Sequence, residues 1–258
     1  MGKFASWLGA SLGFTLGGPI GALIGFAVGS FVDGFKFEGF QQEQIDYERG
    51  RQTQTRGRQR PRQSQTESGD FEISLLVLAS VVIKADGKVD QRELDYVRQH
   101  FVQMYGKERA NSAFRLFSGI LKKKVSVRQV SMQIREHMSH ASRLQLVHFL
   151  FGISKADGNV TSSEEQEIRK IAGYLYINQR DYVSIKAMFF NAVDSAYKIL
   201  EITKAATNDE VKKAYRRMAK KHHPDKLQDL GPEHIKVAQE KFQKIQEAYE
   251  KIKDERGF

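Results

Sequence analysis

The sequence predicts an all-α protein in four consecutive parts: a glycine-striped transmembrane segment, a polar tether, a helical bundle and a C-terminal helical hairpin. Three observations lead there. No charged residue falls between Lys3 and Asp33. From about Phe71 to Asn191 apolar residues recur at helical spacing, as in Leu75, Leu78, Val82 and in Leu94, Val97, Phe101, and no proline interrupts the chain between Pro61 and Pro224. Near the C-terminus Ala238, Phe242, Ile245, Tyr249 and Ile252 step 4-3-4-3, the seam of a helix lying against another. The parts are expected at 1–35, 36–69, 70–191 and 192–258.

Composition narrows the chemistry. Hydrophobic residues at 40% suffice for real cores, and charged residues at 28% make most of the 258-residue chain soluble. A net charge of +10 attracts nucleic acid, anionic lipid or an acidic protein surface without choosing among them. The absence of cysteine excludes disulfides, zinc–thiolate sites and thiol catalysis.

The uncharged run from Phe4 to Val32 exceeds the roughly 20 apolar residues that span a bilayer. Within it Gly9, Gly13, Gly17, Gly21, Gly25 and Gly29 repeat every four residues, a smooth stripe on one helix face where a second copy can pair closely in lipid. The run is too long for a secretory signal, despite a cleavage-like Ala27-Val28-Gly29. A myristoylation pattern, Met1-Gly2-Lys3-Phe4-Ala5-Ser6, is a short and unspecific match. Gly17-Gly18-Pro19 leaves two arrangements open, one kinked span or a hairpin of two short helices. Lys3 precedes the run, whereas Lys36, Arg49, Arg51, Arg56, Arg58, Arg60 and Arg62 follow it, so either arrangement puts the C-terminal bulk in the cytoplasm. Between Gln41 and Asp70 the chain is polar and Arg-rich, with too little to bury to offset its ordering entropy; it reads as a solvated spacer.

The third part contains an internal repeat. Lys84–Glu93 aligns with Lys155–Glu164 at an offset of 71 residues, each copy preceded by an apolar helix beginning near Leu75 or Leu146. Two related units should therefore pack as a pseudo-symmetric bundle. Gly87 and Gly158 supply the positive φ that ends a helix. Asp90 with Glu93, and Thr161 with Glu164, form capping boxes for the next. Asp-Gly-x-Val-x-x-x-Glu also matches the second half of an EF-hand loop, but Val82 and Lys84, or Ile153 and Lys155, stand where the first acidic ligands belong. Structural capping is the favoured reading; a weaker metal site drawn from Asp86, Asp90, Glu93, Asp157 and Glu164 is the competing one. The repeated Lys-Ala-Asp-Gly turns resemble those of the TerB-like family associated with tellurite resistance, which implies a platform for partners or a metal.

In the fourth part a short helix carries Tyr197, Leu200 and Ile202. Thr207 and Glu210 then cap a second with Val211, Ala214, Tyr215 and Met218 inward. Its outward face holds two basic rows, Lys212, Arg216, Lys220 and Lys213, Arg217, Lys221, followed by His222, His223, Pro224, Asp225 and Lys226. Such rows would steer the module onto an acidic protein surface. No recognised reading motif accompanies them, so nucleic acid is not expected as a partner. No nucleophile stands near His223 and Asp225, so no enzyme chemistry and no cofactor are expected.

This layout resembles the J domain from about Asp194 to Phe258, through Tyr-Lys-Ile-Leu-Glu-Ile, Ala-Tyr-Arg-Arg-Met-Ala-Lys-Lys-His-His-Pro-Asp-Lys and Lys-Phe-Gln-Lys-Ile-Gln-Glu-Ala-Tyr-Glu. The resemblance implies that His223, Pro224 and Asp225 engage a DnaK-type ATP-driven chaperone and trigger its hydrolysis. The order anchor, tether, TerB-like bundle, J domain is similar to the DjlA-like family of membrane-anchored DnaJ proteins, which implies a co-chaperone at the bacterial inner membrane. The alternative is a metal- or stress-linked scaffold led by the TerB-like part, with the J domain auxiliary.

Overall fold

A computed structural model describes residues 68–258 apart from residue 123, residues 191–193 and residues 231–232. The membrane segment, its glycine stripe and the tether up to residue 67 lie outside the described residues. No described helix is long and apolar enough to cross a membrane.

The described residues are helical with no strand. Six helices form the bundle: α1 (Ser68–Ile83), α2 (Gln91–Leu121), α3 (Val127–His137), α4 (His140–Lys155), α5 (Ser162–Tyr174) and α6 (Gln179–Ala187). The hairpin part comprises α7 (Ser195–Ile199), α8 (Asn208–Lys221), a 3-10 turn (Pro224–Leu230) and α9 (Glu233–Arg256).

The two apolar helices of the repeat, α1 and α4, occupy the centre. Leu75, Leu76, Val77, Leu78, Ala79 and Val82 of α1, and Leu144, Leu146, Val147, Leu150, Phe151 and Ile153 of α4, are all buried. A helix apolar on every side must be covered on every side, and α1 touches α2, α3, α4 and α5. Both helices begin several residues earlier than their apolar runs, α4 because Ser139 caps it by accepting from the Ser142 N–H at 3.2 Å.

The repeated turns fold alike. Gly87 has φ +82° and Gly158 φ +104°. Asp86 and Asp157 each accept from the backbone N–H two residues on, at 2.9 Å in both cases. Both capping boxes then form. The helix after each turn is interrupted at the matching place: α2 breaks at Gly106, where φ is +77° and ψ 168°, and at the 71-residue offset α5 gives way to α6 around Tyr176, whose φ is +53°.

The hairpin part packs around Tyr197, Leu200, Val211, Ala214, Met218, Ile245, Ala248 and Ile252, and Ala187 at the end of α6 joins the same core. Lys212 lies over the Phe258 ring and His223 meets Phe242, so α8 and α9 run antiparallel. Of the seam residues, Ala238, Ile245 and Ile252 are buried, while Phe242 and Tyr249 are half-buried, Tyr249 stacking on Tyr215 at 4.4 Å. Arg256 closes the unit, donating to Tyr197 Oη at 3.1 Å and to the carbonyls of Ala206 and Lys204 at 2.5 and 2.7 Å.

Candidate functional site

The site grows from the N-terminus of α8. Thr207 accepts from the Glu210 N–H at 3.3 Å while Glu210 accepts from the Thr207 N–H at 2.7 Å, which fixes where the helix starts and hence which residues face out. Val211, Ala214 and Met218 bury one side, leaving Lys212, Lys213, Arg216, Arg217 and Lys220 exposed.

The two basic rows differ in what they meet. Among the described residues no carboxylate lies within 4.0 Å of Lys213, Arg216 or Lys220. Arg217 instead donates to the Leu200 carbonyl at 3.1 Å and sits 3.8 Å from Glu201. Lys221 bonds Glu201 at 2.7 Å and also bonds Asp181 of α6. It is thus a strut between the hairpin part and the bundle, not a free surface cation. The cause is geometric: at the last turn of α8 this row swings toward the bundle.

Past α8 the chain turns sharply. The His222 N–H donates to the Met218 carbonyl at 2.9 Å, ending the helix with its imidazole buried. Pro224 cannot extend an α-helix and opens the 3-10 turn, which Leu227 pins into the interior. The Lys226 N–H reaches the His223 carbonyl at 3.0 Å, and the Asp225 N–H donates to His223 Nδ1 at 3.3 Å. The same Nδ1 stands 3.4 Å from the Asp225 carboxylate. The side chains of His223 and Asp225 remain 50% and 69% exposed, so the turn offers an imidazole and a carboxylate from a braced backbone.

The acidic turns of the bundle behave differently. Asp90 is gripped by Arg92 at 2.8 Å, which drops its pKa to about 2. Asp86 and Asp157 serve their own turns. Glu93 and Glu164 are brought together, and burial, then the hydrogen bond between them, pushes Glu93 up to about 8. Among the described residues no group of three His, Asp or Glu side chains is arranged to hold a metal ion.

Sequence reasoning missed Asp181, Glu201 and Lys241. Lys241 left a signal: it lies three residues after Ala238 and four before Ile245, on the buried face of α9.

Three family models match the chain in order: the co-chaperone DjlA transmembrane domain at residues 1–60, the tellurite resistance protein TerB at 72–187 and the DnaJ domain at 195–257. The co-chaperone protein DjlA of Coxiella burnetii is 31% identical over 227 residues, spanning 79% of this chain and 84% of that one. The chain belongs to the DjlA co-chaperone family. The DjlA protein of Vibrio parahaemolyticus is 30% identical over 76% of this chain and 81% of its own length. A chaperone protein DnaJ from Bordetella petrii is 52% identical over 59 residues, 23% of this chain and 14% of that one. No solved structure matches. As a DjlA-family member the chain is a membrane-anchored bacterial DnaJ-type co-chaperone, and its J domain implies an Hsp70 partner of the DnaK type.

Proposed function

We propose that this DjlA-family chain recruits a DnaK-type chaperone and stimulates its ATP hydrolysis through His223, Pro224 and Asp225. It acts from the bacterial inner membrane with the bundle and J domain in the cytoplasm, and two copies pair along the glycine stripe. The observation that carries this reading is the rigid turn that leaves His223 and Asp225 exposed beside Lys213, Arg216 and Lys220. Free cations on a helix face speed encounter with an acidic surface and add little to final affinity. The turn then supplies directional hydrogen bonds, which reward one docked geometry. The chain itself breaks no bond; the partner hydrolyses the nucleotide.

The test is steady-state ATPase of the cognate DnaK with the full chain in lipid nanodiscs, beside His223→Gln. Stimulation by the parent and none by the variant supports the reading. No stimulation by a correctly folded parent sinks it.

A further inference from the structure

The J domain does not stand apart from the bundle. α9 packs on α2, and the 3-10 turn rests against α4 and α1. On one side the joint is apolar, Ala187 of α6 joining the hairpin core with Met188 packed against it. On the α9 side it is poorly satisfied. Lys241 is 2% exposed and, among the described residues, makes no ion pair or hydrogen bond. Beside it His222 is 4% exposed with neither ring nitrogen partnered. A buried imidazole left unsatisfied, as at His222, is costly, and water would return that cost on separation. Against this stand the Lys221 links to Asp181 and Glu201 and a bond from Ser184 Oγ to the Ile199 carbonyl at 2.7 Å.

We propose that the J domain is reversibly latched to the bundle, and that proton uptake by Lys241, His222 and His148 at the joint releases it. While docked, the 3-10 turn that begins at Pro224 rests on α1 and α4, which narrows the approach to the His223–Asp225 turn from that flank. The consequence for a chaperone rests on the function proposed above; the latch itself does not.

The groups around the cluster set the direction. From the bundle come His148 on α4, His100 and Tyr96 on α2, and Asp181 on α6. From the J domain come Lys221, Glu240, Lys241 and Lys244, with Glu201 holding Lys221. Asp181, the nearest counter-charge, is already bonded by Lys221 and by His140 at 3.0 Å. Burial brings Lys241 down to about 7 and holds His148 and His222 well below the usual imidazole range. The docked form therefore binds fewer protons than the open one, and acid favours opening. Glu240, raised by burial, opposes this as pH falls toward the carboxylate range, where protonation of Asp181 again weakens the dock. A Lys241 pKa of about 7 docked and 10.5 open raises the opening constant about tenfold between about pH 8 and pH 6.

With no native cysteine, two labels can be placed cleanly. Glu136→Cys on α3 and Lys251→Cys on α9, both exposed, would report the distance between bundle and J domain by energy transfer in the full chain in nanodiscs. The open-to-docked ratio should rise about tenfold from about pH 8 to pH 6. Lys241→Met should remove the rise above pH 7 and keep the chain docked, and Asp181→Asn should open it at pH 8. A distance independent of pH in the parent, or an undiminished response in Lys241→Met with helix content intact, overturns the latch. Because no chaperone is present, failure here is distinct from failure of the ATPase assay.

Discussion

Glu93 and Glu164 hold the same place in the two copies of one turn, and their carboxyls share a hydrogen bond. Both are buried, and each also accepts from the backbone N–H of its own N-cap residue, Asp90 at 3.3 Å and Thr161 at 2.7 Å. One shared proton removes the repulsion that two carboxylates would suffer.

Bundle stability should therefore fall as pH rises. The folded pKa of Glu93, about 8, lies above its ordinary value of 4.5, so the folded state binds more protons than the unfolded state between those values. The shared-proton contact is fully present below pH 4.5 and is lost as pH climbs through 8. Glu93→Gln should flatten the slope, with a gain on the order of 2 kcal/mol at pH 9 relative to the parent. Urea titrations at pH 6 and pH 9 would measure it, and an equal slope in parent and variant would refute it.

The two basic rows should separate in mutagenesis. Replacing Lys213, Arg216 and Lys220 by Ala removes exposed, unpaired charge, so the melting temperature should hold while association with the chaperone slows about tenfold at low salt. Lys221→Ala should instead destabilise the chain by about 2–3 kcal/mol, since it strips the buried Asp181 of a partner. Stopped-flow binding and thermal melts distinguish the two behaviours.

Gly152 on α4 faces Tyr96 so closely that a Cβ there would collide with the phenol. Gly152→Ala should cost about 1–3 kcal/mol. Tyr96→Phe, which withdraws the hydroxyl, should recover part of that loss in a double-mutant cycle. Additive effects would mean that the two sites do not touch.

Arg256 fastens the end of α9 to the loop before α8 through two carbonyls and a phenol. Arg256→Ala should cost about 1 kcal/mol, because the part-buried Tyr197 hydroxyl and Ala206 carbonyl lose a charged donor. The loss should appear in hydrogen exchange as faster opening of the 203–207 loop, ahead of the bundle.

Much of this was legible in the sequence, for identifiable reasons. Capping boxes are local, so Asp90, Thr161 and Thr207 declared themselves through the Glu three residues on. The glycines of the repeated turns did the same by position. The break at Gly106 was not legible, since a glycine amid helix-forming residues is normally tolerated. Nor was the fate of Lys221, which on periodicity alone belongs with its exposed neighbours and is captured by Asp181, 40 residues away in sequence. Contacts of that kind depend on how two bodies meet, which no local pattern encodes.

The meeting of Glu93 with Glu164 also locates the symmetry of the bundle. A residue that touches its own counterpart marks the axis of an isologous pair, the arrangement two identical subunits adopt. A single copy of the repeat would leave α1 or α4, apolar on every side, half naked in water. The two copies thus serve each other as two subunits of a dimer would, each covering the apolar helix of the other within one chain. Both copies keep the turn that meets its twin and the break one helix later, at Gly106 and at Tyr176; they differ where Ala110 of the first aligns with Asp181 of the second, the carboxylate that receives the J domain through Lys221.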